Sequence, residues 1–188
     1  TAIIIASMPM AAVQADTIGK EAQACRELGI LIGADSSGVS SQYLATTPTR
    51  IQAFIIVLRL KGLYSEAAEY EGYDNFKDAS AAGWAENYMA YAKSHPELGW
   101  QGNPDGTFAP SANINGQAFY KVMLETLGYK QDIDFTYAET LKFAQSTGLV
   151  KKAEDISKLK DFTVNDVAKG IYSALNTSPR TQKTSLLP

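Results

Sequence analysis

Histidine and cysteine are almost missing from this chain, whose 188 residues include one of each, His95 and Cys25. A metal site built from several histidines of one chain is therefore excluded, and so is an intrachain disulfide. A Ser-His-Asp arrangement would have to use His95, which precedes Pro96 near a helix end, where a polar or capping role is expected. Glycine-rich phosphate loops are also absent. We therefore predict a protein that is not an enzyme and needs no cofactor, with Cys25 as a small core residue.

An excess of positive charge is missing too, since the formal net charge is −3. A nucleic-acid-binding protein would present a basic face, so this class of partner is not expected. No segment is apolar over a length that could cross a bilayer. Hydrophobic residues make up 45% of the chain, which is enough for a sizeable globular core.

The first fifteen residues differ from the rest. They are apolar around Ile3, Ile4 and Ile5, and Val13-Gln14-Ala15 has the small-residue pattern that precedes a signal-peptidase cut. Residues 1–15 are therefore interpreted as a signal-peptide remnant, with Asp16 as the first residue of a secreted protein. A buried N-terminal helix or strand is the alternative interpretation.

From residue 16 the chain repeats one pattern three times: an amphipathic helix, a glycine-containing loop and a second helix. Gln117-Ala118-Phe119 matches Gln52-Ala53-Phe54 and sets the register between the copies. The predicted units are residues 16–71, including a connector, then 72–130 and 131–177, followed by a tail over 178–188. No segment of consequence shows the alternation of apolar and polar residues that is typical of a strand. We therefore expect an all-α fold in which the copies pack with pseudo-threefold symmetry around a central three-helix bundle.

The second helix of each copy begins with a capping signal. Thr49 and Gln52 have the spacing of a capping box, Thr163 and Asp166 repeat it, and Asn115 is a good N-cap. The helix after Thr49 is apolar nearly all round, which predicts a buried central position.

These repeats resemble the S-layer homology family. The second copy carries the resemblance best, in Phe76-Lys77-Asp78, Trp84-Ala85, Leu98–Gly102 and Asp105-Gly106-Thr107-Phe108-Ala109-Pro110, while the first copy supplies Thr49-Arg50-Ile51-Gln52. The resemblance implies a module that holds a secreted protein on the cell wall of a Gram-positive-type bacterium. Its grooves would bind secondary cell-wall polysaccharide, often bearing pyruvate.

An arginine inside a helix start would suit the pyruvate carboxylate, because guanidinium and helix N–H groups both favour an anion. Arg50 has this position, whereas the register places Asn115 and Val164 at the equivalent sites. The implied polysaccharide-binding residues are Arg50, Gln52, Asn115, Trp84 and Trp100. Aromatic residues at helical spacing are also typical of a core, so both interpretations of Trp84 and Trp100 stay open. A structural module that contacts other protein chains of a surface layer or extracellular fibre is the alternative function.

Overall fold

A computed structural model describes residues 17–180, and the predicted signal remnant over 1–15 lies outside this range. In the described range the chain forms nine α-helices and three short 3-10 helices, with isolated β-bridges but no strand. The α-helices are α1 Lys20–Glu27, α2 Ser41–Leu44, α3 Arg50–Leu60, α4 Tyr64–Ala68, α5 Glu86–Ser94, α6 Gly116–Thr126, α7 Thr140–Ser146, α8 Ala153–Ser157 and α9 Val164–Leu175. The predicted all-α class is thereby confirmed. None of these helices combines the length and the hydropathy that a membrane crossing needs.

The three longest helices begin as the sequence predicts. Thr49 and Gln52 form a capping box at α3, and Thr163 and Asp166 form another at α9. At α6, the Asn115 side chain accepts a hydrogen bond of 2.8 Å from the Ala118 N–H group. Each cap satisfies an N–H group that the helix itself leaves unpaired, a contribution of about 1 kcal/mol per cap.

Helix α3 is buried along most of its length, as its apolar sequence predicts: every residue from Ala53 to Leu58 is buried. Phe54 packs against Trp100 at 5.2 Å and Phe108 at 6.1 Å between ring centroids, and Phe76 lies 5.2 Å from Phe108. Large rings of this kind contribute most of the buried apolar area of a core. The aromatic cluster therefore fixes the loop around Phe108 against α3.

Backbone hydrogen bonds join the starts of the three long helices. The Arg50 N–H group donates to the Ala112 carbonyl, and Ile114 N–H donates to Pro48. Val164 N–H donates to Thr46 across 2.8 Å. The loops before α3, α6 and α9 are thus tied together at one end of the molecule.

Short helices occupy three segments that the sequence pattern treats as loops or connectors. Helix α2 begins where the Ser40 hydroxyl accepts a hydrogen bond from Tyr43 N–H. Helix α4 lies in the connector of the first predicted unit, and α8 lies in the loop between the two main helices of the third. Helices of four or five residues are too short for a clear apolar period, and tertiary packing decides whether they form. Cys25, by contrast, is buried on α1 as predicted.

Candidate functional site

An open groove with a cavity volume of about 830 Å³ lies beside α2 and the outer side of α3. Its walls combine aromatic side chains with a polar loop. The lining residues include Asp35, Ser40, Tyr43, Gln52, Arg59, Tyr64, Trp84 and Tyr88. Its volume is within the range of small-ligand and peptide pockets in proteins. We refer to this cavity as the aromatic groove.

One cation and two phenol rings lie against each other in the wall of the aromatic groove. The Arg59 guanidinium carbon lies 4.6 Å from the centroid of the Tyr64 ring, and the Tyr64 and Tyr88 centroids are 5.6 Å apart. A cation over an aromatic face is attracted by the ring quadrupole, by about 0.5–1 kcal/mol where solvent has access. No carboxylate of the described residues lies within ion-pair distance of Arg59. Its charge is therefore held in place without being neutralised.

The two tyrosine hydroxyls influence each other. A side-chain hydrogen bond with Tyr88 lowers the pKa of Tyr64, with a smaller contribution in the same direction from Arg59. Burial raises the pKa of Tyr88 to about 12. Both hydroxyls can take part in hydrogen bonds at the groove wall.

Trp84 extends the aromatic wall into solvent. Its side chain is 67% exposed, although tryptophan is among the most costly residues to leave in water. Tyr64 in the same wall is 37% exposed, whereas Tyr88 is buried. Exposed aromatic rings beside a cation form a surface suited to a ligand that has both apolar and negatively charged parts.

The structure separates the residues for which the sequence implied a common binding role. Trp84 and Gln52 line the aromatic groove. Asn115 lines a different cavity of about 340 Å³ next to α8. Trp100 is 2% exposed and packs against Phe54 and Phe108, so it belongs to the core. Trp84 is thus exposed at a groove wall, whereas Trp100 is a core residue.

Arg50 lines neither of these two cavities. Its Nε atom donates a hydrogen bond of 2.8 Å to the Phe108 carbonyl, and the guanidinium lies 5.3 Å from the Phe108 ring centroid. Burial lowers the pKa of Arg50, and Tyr137 and Asp78 act in the opposite direction. The side chain joins the start of α3 to the Phe108 loop, which is a structural role.

Asp78 secures the same loop from the other side. Its two carboxylate oxygens accept hydrogen bonds from the N–H groups of Phe108 at 2.7 Å and Ala109 at 2.8 Å. Ala109 has a φ of 56°, a left-handed conformation that costs free energy for a residue with a Cβ atom. Charge-assisted hydrogen bonds offset that cost. Asp78 is therefore occupied in holding the loop.

The chain's histidine and cysteine are also engaged in packing. The His95 ring stacks on Tyr91 at 4.0 Å, and its Nδ1 lies 2.9 Å from the Tyr91 carbonyl oxygen at the end of α5. Burial raises the pKa of the Cys25 thiol to about 11, and Sγ donates to the Ala168 carbonyl across 3.7 Å. Across residues 17–180, no group of three histidine, cysteine or acidic side chains is arranged to hold a metal ion.

Sequence reasoning missed Arg59, Tyr64, Tyr43 and Tyr88 as groove residues. Arg59 directly follows the apolar run from Ala53 to Leu58, and a charged residue at the end of such a run indicates a place where the helix reaches solvent. The tyrosines carry no local signal, because α2, α4 and α5 bring them together from distant parts of the chain.

Comparison with known families gives a match to a domain of a peptidase. Residues 103–187, less than half of the chain, match the family described as X-Prolyl dipeptidyl aminopeptidase PepX, N-terminal. No curated protein matches the chain significantly. The matched part includes α6 to α9 and, of the groove residues, Val164.

This finding corrects the interpretation of the sequence. The matching family is a peptidase N-terminal domain and not the S-layer homology family, so the implied membership of the latter is wrong. The cell-wall anchoring function that followed from it is wrong as well. A turn sequence such as Asp-Gly-Thr-Phe and repeated helix caps are short local features, and unrelated helical proteins can share them. Nothing in the groove geometry specifies a polysaccharide partner.

Proposed function

We propose that this chain is a non-catalytic helical domain associated with a peptidase, and that it contributes peptide recognition. The observation that carries the proposal is the match of residues 103–187 to the N-terminal domain of an X-prolyl dipeptidyl aminopeptidase. The activity in that name belongs to the matched family, and peptide substrates are the ligand class that it suggests for an accessory domain of this kind.

The side chains that could act as catalytic groups are held in structural contacts, which supports a non-catalytic role. His95 is held against Tyr91, and the Cys25 thiol is buried with a pKa raised to about 11. A thiol nucleophile needs the opposite shift, toward the thiolate, and an accessible position. Asp78 is likewise occupied by two backbone N–H groups.

We also propose that α3, α6 and α9 are equivalent parts of three helix–loop–helix units. Support comes from their similar lengths, their N-caps at Thr49, Asn115 and Thr163, and the hydrogen bonds that join their preceding loops. In this arrangement the units share one core, and clefts form where neighbouring units meet.

Incubation of the purified chain with a panel of peptides tests the function. Peptides beginning with X-Pro would be titrated by isothermal calorimetry and then examined by mass spectrometry. We expect measurable binding and recovery of intact peptide. Cleavage of the peptide by the chain would overturn the non-catalytic assignment, and a lack of binding to every peptide would overturn peptide recognition.

A further inference from the structure

We infer that the aromatic groove binds an extended, proline-containing peptide that carries a carboxylate, with a proline ring on Trp84 and the carboxylate at Arg59. This inference rests on the proposed function, which it deepens by assigning the place and the chemistry of recognition. Of the residues that line the groove, the family match covers Val164 alone. The assignment therefore rests on the geometry of the groove residues between positions 33 and 88.

The wall of the aromatic groove has a shape that suits proline. Trp84, Tyr64 and Tyr88 present rings along one groove, and the first two of them are partly in solvent. Grooves lined by exposed aromatic rings recognise polyproline-type segments, because a proline ring packs flat on an aromatic face. Such a segment is already extended before it binds, so little chain entropy is lost.

The charges that line the groove favour an acidic ligand. Arg59 and Asp35 are the charged residues among those that line the groove. Asp35 accepts a hydrogen bond of 2.8 Å from Ser37 N–H within its own loop, whereas Arg59 is oriented by the Tyr64 ring and has no acidic partner in the described structure. A guanidinium in this state can bond a carboxylate through two parallel N–H groups. An acidic peptide therefore fits better than a basic one.

Helices hold the cation and the tyrosine rings of the groove wall in position. Tyr88 is 8% exposed and lies on α5, and Arg59 lies in the last turn of α3. Sites built on helices keep their geometry better than sites on loops. Tyr64 begins α4 and connects the two by its contacts with both side chains. The cation and the rings are thus positioned before a ligand arrives.

The test is a titration of the 188-residue chain with the peptide Ala-Pro-Ala-Pro-Glu-Ala-Pro, blocked at both ends so that its glutamate is the sole carboxylate. Comparison peptides replace every proline by alanine, or the glutamate by glutamine. We expect the Trp84→Ala variant to bind at least about tenfold more weakly, as is usual for a tryptophan at the centre of a binding site. The Arg59→Gln variant should lose affinity for the glutamate peptide and keep its affinity for the glutamine peptide.

Matched controls are available on the same chain. Tyr73 is fully exposed and does not line the groove, so Tyr73→Ala controls for loss of an aromatic ring; Arg26→Gln on α1 controls for loss of a positive charge. Circular dichroism and thermal unfolding would verify that every variant is folded.

If the wild type binds the peptide and Trp84→Ala and Arg59→Gln bind it equally well, the groove assignment is overturned while peptide recognition stands. Equal affinity for the proline and alanine peptides would overturn the role of proline.

Discussion

Arg59 lies over the ring of Tyr64, with 4.6 Å between the guanidinium carbon and the ring centroid. The pair spans the turn between α3 and α4, and Tyr88 supports Tyr64 from α5. This contact orients a positive charge toward an open groove, and no carboxylate among the described residues forms an ion pair with it. Arg50, at the other end of α3, differs from Arg59, because its side chain donates a hydrogen bond to the Phe108 carbonyl within the fold.

The groove aromatics allow a prediction from fluorescence. Trp84 is 67% exposed and Trp100 is 2% exposed, so acrylamide should quench the emission of Trp84 and leave that of Trp100 nearly unaffected. Trp84→Phe should therefore abolish most of the quenching, and a bound proline peptide should protect Trp84 in the wild type. Equal quenching of wild type and variant would contradict the placement of the two rings.

Asp78 provides a prediction on stability. Asp78→Ala removes two charge-assisted hydrogen bonds and leaves the N–H groups of Phe108 and Ala109 without their partners. We expect the free energy of unfolding to fall by about 2–3 kcal/mol in urea denaturation. Asp74→Ala is the control, because Asp74 is an exposed partner of Lys93 and such pairs contribute about 0–1 kcal/mol. A similar loss in both variants would contradict the role given to Asp78.

Glu125 provides a prediction on pH dependence. Burial raises the pKa of its carboxyl above the ordinary 4.5, and Lys121, 2.9 Å away, opposes the shift. Because the folded state then holds its proton to a higher pH than the unfolded state, this group's contribution to stability falls as pH rises from about 4.5 through the raised pKa.

Glu125→Gln removes that titration. The difference in unfolding free energy between wild type and variant, measured by urea denaturation at a series of pH values, should shift in favour of the variant as pH rises through this window. Lys121→Met, which keeps the carboxyl but removes the opposing charge, should steepen the pH dependence. A difference between wild type and Glu125→Gln that does not change with pH would contradict the assignment.

Cys25 provides a prediction on reactivity. Its thiol is fully buried between α1 and α9, and burial raises its pKa to about 11. An aromatic disulfide reagent at pH 8 should therefore label the native protein slowly and the urea-unfolded protein completely. Rapid labelling of the folded chain would mean that the packing of α1 on α9 is wrong.

The parts of the fold that the sequence predicts are those encoded within a few residues. Thr49 with Gln52 and Thr163 with Asp166 predict helix starts because a capping box is a local set of hydrogen bonds. The groove depends on contacts between distant segments, and no sequence pattern shared by Tyr64 and Tyr88 predicts that their rings are in contact. Trp84 and Trp100 were indistinguishable by residue type, since burial is decided by tertiary packing. The family resemblance failed because short turn motifs constrain local backbone and do not specify function.

The most direct test of the central claim is a chemical-shift map of the isotope-labelled chain titrated with the blocked proline–glutamate peptide. We predict that the largest changes occur at the Trp84 indole N–H, the Arg59 side chain and the backbone of Tyr64, with the resonances of Arg50 and Asn115 nearly unchanged. Changes centred on Arg50 or Asn115, or an absence of changes at saturating peptide, would contradict the account.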